Sequence, residues 1–84
     1  MIKINDLQNW IIDYVTDTIH NLESDNLKFN EWAKSFERAE ADFVVSMDLW
    51  ELEEVLKGKT EVSEEEAVKL ANPFIQKIIN HWYL

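Results

Sequence analysis

Residues 5–22, NDLQNWIIDYVTDTIHNL, place apolar side chains three and four positions apart along the whole segment. This spacing aligns them on one face of an α-helix. The apolar stripe consists of Leu7, Trp10, Ile11, Tyr14, Val15, Thr18, Ile19 and Leu22. The predicted solvent-facing side consists of Gln8, Asn9, Asp13, Thr16, Asp17 and His20. Asn5 is a suitable N-cap, with Gln8 three residues later. We therefore predict a helix from about Asn5 to Leu22.

The C-terminal segment repeats the pattern and has a clear start signal. Ser63 and Glu66 have the spacing of a capping box, and Glu64 and Glu65 complement the helix dipole. The helical stripe then consists of Ala67, Leu70, Ala71, Phe74, Ile75, Ile78, Ile79 and Trp82. Pro73 interrupts this segment, and its missing N–H requires either a kink or a restart after Asn72. The sequence leaves both open.

The middle of the chain is less regular. After a polar loop at residues 23–26, a second helix is predicted to start near Asn30, with Phe29, Trp32, Ala33 and Phe36 as its apolar face. Farther on, Phe43 and Met47 share the angular position of Phe36, whereas Val45, Leu49, Leu52 and Leu56 fall on the opposite side. A break around Ala41–Ser46 resolves this conflict, with Ser46 capping a third helix from about Met47 to Lys57 that Gly58 ends. One long helix remains the alternative.

These patterns predict an all-α fold, a single domain over residues 1–84 with four to five helices, the last kinked or restarted at Pro73. The chain has 84 residues, ten of them aromatic, with one glycine and one proline, so a folded core is expected rather than disorder. It has no cysteine, which excludes disulfides and thiolate chemistry. No apolar run has membrane-spanning length and no basic segment precedes one, so we expect a cytoplasmic protein that is not bound to a membrane.

Residue patterns typical of catalysis are missing from the sequence. The two histidines, His20 and His81, are far apart and lack nearby acids at metal-ligand spacing. A single glycine, Gly58, excludes a glycine-rich phosphate loop. We therefore predict no catalytic residues, no metal and no cofactor, and a protein that is not an enzyme.

Charge is distributed unevenly along the chain. The formal net charge is −9, and residues 37–66 hold eleven acids and three bases, a net −8. Such a field repels nucleic acid and anionic membranes and accelerates encounter with basic surfaces. The alternative is a solvated face that keeps a small protein in solution.

One group of residues within this acidic segment is predicted to bind a partner: Met47, Asp48, Trp50, Glu51, Glu54 and Glu61. If Leu49, Leu52 and Leu56 face the core, Trp50 points outward among carboxylates, as an apolar anchor with a charged rim. The alternative is that Trp50 is buried with Phe43 and Met47. Carboxylates three or four residues apart also approach the spacing of phosphates along a nucleic-acid strand, which suggests a DNA mimic.

Residues 49–84 resemble the second half of a phage-repressor or HigA-type helix-turn-helix domain. The shared pattern is VLKGK at residues 55–59, followed by VSEEEAVKLA at residues 62–71 and the aromatic ending of residues 82–84. The resemblance implies a helical, DNA-binding domain that dimerises. Here the would-be recognition helix carries Asp48, Glu51, Glu53 and Glu54, so the charge of its DNA-facing surface is inverted.

The favoured hypothesis is a non-enzymatic acidic protein that inhibits or neutralises a basic, nucleic-acid-handling partner protein. Immunity proteins, antitoxins and phage-encoded inhibitors are of this kind, and direct binding to nucleic acid is not expected. Two alternatives stay open. One is a helix-turn-helix-derived transcriptional regulator. The other is a structural module that self-associates, for which a homodimer is the simplest form.

Overall fold

The computed structural model describes residues 1–83, except for the side chains of Leu49, Glu51 and Tyr83. In this part of the chain, five helices and one pair of two-residue strands follow one another. They are β1 (Ile2–Lys3), α1 (Ile4–His20), α2 (Leu27–Ser35), α3 (Arg38–Met47), α4 (Leu49–Val55), β2 (Glu61–Val62) and α5 (Glu64–Tyr83). The predicted all-α class and helix number are confirmed.

Helix α1 is the centre of the fold, with α2, α3 and α5 in contact with it. Its buried face consists of Leu7, Ile11, Ile12, Val15, Thr16 and Ile19. Ile12 and Thr16 were not predicted to be buried; α1 is covered on more than one side, so its buried face is wider than the stripe. The Thr16 hydroxyl donates to the Ile12 carbonyl oxygen at 2.7 Å, which satisfies this polar group inside the core.

Helix α1 begins at Ile4, within one residue of the predicted start, but the predicted N-cap at Asn5 is wrong, because Lys3 occupies the cap position and is held there by strand pairing. Ile2 pairs with Val62 and Lys3 with Glu61 in an antiparallel ladder, and the Ile4 N–H donates to the Thr60 carbonyl oxygen at 3.0 Å. The strand pair was not predicted, since each strand has two residues and its partner is sixty positions away.

The predicted N-cap of α2 at Asn30 is also wrong. The Asn26 side chain accepts a hydrogen bond from the Phe29 N–H at 3.1 Å and caps the helix. Asn30 lies one turn inside α2, where its amide group exchanges hydrogen bonds of 2.8 Å with the Ser24 backbone. Both asparagines are plausible caps in the sequence, and the closed loop at residues 23–26 decides between them.

The largest departure from the predicted pattern is at α3. This helix runs without interruption through residues 41–46, where the break was expected, and the chain turns at Asp48 instead. Ser46 is therefore no cap: its hydroxyl donates to Asp42 Oδ1 at 3.0 Å within α3. Helix α4 ends at Val55, and Gly58 follows with a φ of 85°, a conformation that favours glycine.

Helix α5 is continuous across Pro73, so the alternative of a restarted helix is not observed. The proline and Lys69, whose carbonyl would have received the missing N–H, are both exposed to solvent. Water can therefore take the place of the lost hydrogen bond. At the start of α5, the Glu66 N–H donates to Ser63 Oγ at 3.1 Å, which confirms Ser63 as the cap.

Candidate functional site

An apolar groove separates α3 from the C-terminal half of α5. Its volume is about 670 Å³. Helix α3 contributes Ala39, Phe43, Val44 and Met47, and α5 contributes Lys77, Ile78, His81 and Trp82. Trp32 and Phe36, at the end of α2, also line the groove.

The groove exists because α3 is apolar on two sides. Ala41 and Val45 point into the core and are fully buried. Phe43 and Met47 lie on another side of the same helix, and they are 67% and 63% exposed. The opposed angular positions of these residues were interpreted from the sequence as a break in the helix. The helix is intact, and the second apolar side is uncovered.

Three aromatic rings form the end of the groove nearest the C-terminus. Trp32 and Trp82 are stacked, with ring centroids 5.0 Å apart and an interplanar angle of 12°, and Phe36 meets Trp32 edge-on at 5.6 Å. Trp82 was predicted to lie in the core, but it is 44% exposed. It lies near the end of α5, where one face of its ring packs on Trp32.

Charged groups line the rim of the groove. Lys77 Nζ donates to Asp48 Oδ2 at 2.5 Å and joins α5 to the turn between α3 and α4. Some 12 Å away along α3, Glu40 carries an exposed carboxylate, whose Oε2 accepts a hydrogen bond from the Glu37 N–H at 3.3 Å.

Helix α3 is held in place by ion pairing on the side of α1. Arg38 Nε donates to Asp13 Oδ1 at 2.7 Å, and this hydrogen bond raises the pKa of Arg38. The carbonyl oxygen of Phe36, just before α3, lies 2.6 Å from His20 Nε2. These two contacts join the start of α3 to α1.

The structure brings two of the predicted binding residues to the groove. Met47 is exposed on its wall, and Asp48 stands at its edge in the ion pair with Lys77. The side chain of Glu51, a third predicted residue, lies outside the described part of the chain.

The other three predicted residues lie elsewhere. Trp50 is 63% exposed on α4, so the alternative of a buried Trp50 is not observed. Glu54 is exposed on the same helix. Glu61 is exposed on β2 opposite Lys3, so it belongs to a strand and does not extend a row of helical carboxylates.

Most residues of the groove were not predicted as binding residues. Phe43, Trp32, Phe36 and Trp82 were assigned to helix-packing stripes, because an apolar stripe has the same spacing whether or not another helix covers it. The sequence contained one indication for Phe43. Phe43 and Val45 lie on opposite sides of α3, and a helix in a small bundle cannot bury both sides.

Outside the groove, the described part of the chain has a further depression. A smaller depression of about 350 Å³ lies between the start of α1 and α4, where Leu7, Leu52 and Leu56 meet Gln8 and Glu53. Among the side chains that the structure describes, no group of three His, Asp or Glu could hold a metal ion. Within the same residues, no helix combines the length and the apolar character needed to cross a membrane.

Comparison with known proteins gave no relative: no protein-family model, no curated protein and no solved structure matches this chain.

Proposed function

We propose that this chain is a non-enzymatic binding protein that neutralises a basic partner protein, one that handles nucleic acid. The observation that carries the proposal is the uncovered apolar groove in a strongly acidic chain. Small soluble proteins seldom leave large neighbouring apolar side chains such as Phe43, Met47 and Trp82 exposed unless another molecule covers them. The groove supplies the apolar contact area of an interface.

The acidic segment supplies the specificity for a basic partner. Residues 37–66, which carry a net charge of −8, include α3 and α4, and therefore one wall of the groove. Electrostatic complementarity raises association rates and selects partners of opposite charge. Extended basic surfaces are the electrostatic footprint of nucleic-acid-binding proteins, which makes them the partner class that this field fits best.

A pull-down from nuclease-treated extract, with matched charge reversals, tests the proposal. The double variant Glu53→Lys/Glu54→Lys reverses two exposed acids within the acidic segment, and Glu23→Lys/Asp25→Lys reverses two in the first loop. Both pairs change the net charge equally. We expect the first pair to weaken binding of a basic nucleic-acid-handling protein by about fivefold or more at low salt, and to flatten its salt dependence.

The control pair should change the affinity by less than about twofold, since its charges lie outside the acidic segment. Equal losses of affinity from the two pairs of charge reversals would show that binding depends on the total charge of the protein and not on the acidic segment. Recovery of no basic protein at any salt concentration would refute the proposed function.

Self-association is a second candidate function, which the same uncovered groove favours. Sedimentation at several concentrations tests it, because a stable oligomer without a foreign partner would assign the groove to a second copy of the chain. The helix-turn-helix resemblance of residues 49–84 stays a prediction, and sequence-specific retardation of DNA from the region upstream of its own gene would support it.

A further inference from the structure

We infer that the groove between α3 and α5 binds an amphipathic α-helix of the basic partner, with apolar anchors facing Phe43 and Met47 and lysine or arginine above Glu40. The inference rests on the proposed function and adds the binding site and the structure of the partner segment.

The walls of the groove have the form that a third helix requires. Ala39, Phe43 and Met47 follow one another at intervals of four residues, so they form one straight row along the outer side of α3. Across the groove, Ile78 and Trp82 repeat the same interval on α5. A helix lying between two such rows packs its side chains into the spaces between them.

The dimensions agree with helical periodicity. Four residues of α3 rise by about 6 Å, so Ala39 and Met47 are about 12 Å apart along the axis. An apolar helix face presents one anchor per turn of about 5.4 Å, so two or three anchors span this distance. An extended strand has no comparable fit, because both walls are helices whose backbone groups are bonded internally and offer no sheet edge.

The charges around the groove select a basic segment. At one end Asp48 is paired with Lys77. At the other end Glu40 lines the groove and carries an exposed carboxylate in the first turn of α3. An arginine or lysine flanking the apolar anchors can reach Glu40 while its aliphatic stem covers part of Phe43.

Charge also argues against a second copy of the chain as the occupant. Each copy carries −9, and an interface through the groove would bring two acidic segments together. Like charges within a Debye length of about 8 Å repel at physiological ionic strength. A basic helix removes this repulsion, whereas a homodimer doubles the charge without compensating it.

Binding of designed peptides to the full chain tests the inference. The probe is a fluorescent peptide of about 18 residues, helical in solution, with leucines on one face and lysine and arginine on the flanks. One control peptide has the same composition with the leucines distributed around the helix, and another keeps the leucines but has glutamate flanks. Anisotropy titrations at two salt concentrations give the affinities.

Three variants locate the contact. Phe43→Ala/Met47→Ala should weaken binding of the basic amphipathic peptide by about tenfold or more. Glu40→Gln, which keeps a hydrogen-bond acceptor for the Glu37 N–H, should weaken it about threefold and reduce its salt dependence. Trp50→Ala removes an equally exposed aromatic residue outside the groove and should change the affinity by less than about twofold. Circular dichroism verifies that each variant is folded.

The outcomes separate this inference from the proposed function. Absence of peptide binding, equal binding of the control peptides, or a larger loss with Trp50→Ala than with Phe43→Ala/Met47→Ala would overturn the groove as the helix site. The proposed function would survive if the protein recovered in the pull-down still responded to Glu53→Lys/Glu54→Lys. Dimerisation that Phe43→Ala/Met47→Ala abolishes would instead assign the groove to a second copy.

Discussion

Helix α3 has two apolar sides with opposite environments. Val45 and Ala41 are fully buried against the core, whereas Phe43 and Met47, two residues away from Val45 on either side, are largely exposed. Both sides show the same helical spacing and similar hydrophobicity. Their difference shows that periodicity identifies an apolar helix face without indicating whether the same chain or another molecule covers it.

The sharpest way to break this comparison is to place the same charge on each side of α3. Val45→Asp buries a carboxylate in the core at a cost of several kcal/mol, against a total stability on the order of 10 kcal/mol or less. We expect this variant to lose its cooperative thermal transition in circular dichroism. Phe43→Asp is the matched control. Its free energy of unfolding should lie within about 0.5 kcal/mol of that of the parent protein, since the side chain at position 43 is largely exposed to water. Equal destabilisation would show that Phe43 is covered.

A second test addresses the aromatic end of the groove. Trp82→Ala removes the stack with Trp32 and the half of the Trp82 surface that is buried, so the free energy of unfolding should fall by about 2 kcal/mol. Trp50→Ala on α4 is the control, with an expected change below about 0.5 kcal/mol. Urea denaturation measures both. A Trp82→Ala variant as stable as the parent would mean that the two indole rings do not stack in solution.

The smallest expected effect concerns the ion pair at the groove edge. Asp48→Asn should lower the free energy of unfolding by about 1 kcal/mol or less, because the Asp48–Lys77 pair is partly exposed and joins α5 to the turn after α3. The loss should shrink at high salt. Glu65→Gln removes an ion pair with Lys69 that is far more exposed and one of three acidic charges in the first turn of α5, and it should lower the free energy of unfolding by less than about 0.5 kcal/mol. Two variants of equal stability at low salt would contradict a structural role for Asp48.

The sequence was sufficient for the parts of the fold that rest on local chemistry. The buried positions Leu7, Ile11, Val15 and Ile19 of α1 and the Ser63 cap of α5 were predicted correctly, because each depends on residues within a few positions of one another. The position of the turn after α3 was not. Ser46 has the chemistry of a cap and Asp48 lies two residues later, and what distinguishes them is the packing of α3 against α1, with Val45 buried on α3.

For the binding surface, the sequence predicted the region and part of the composition. It predicted Met47, Asp48 and an exposed Trp50 as binding residues, but it placed Trp82 in the core and offered no reason to connect α3 with the end of α5. Residues 43 and 82 meet at one groove because α1 holds both helices, and no local pattern records such a contact.

By itself, the sequence determined the helical class, the acidic character of residues 37–66 and the absence of cysteine chemistry, since these follow from composition and from interactions within one or two helical turns. Only the tertiary structure decided which apolar faces are covered, that Pro73 lies inside one continuous helix, and that Ile2–Lys3 pairs with Glu61–Val62. The physical reason is that burial depends on what lies across the core from a side chain, and that neighbour is distant in the sequence.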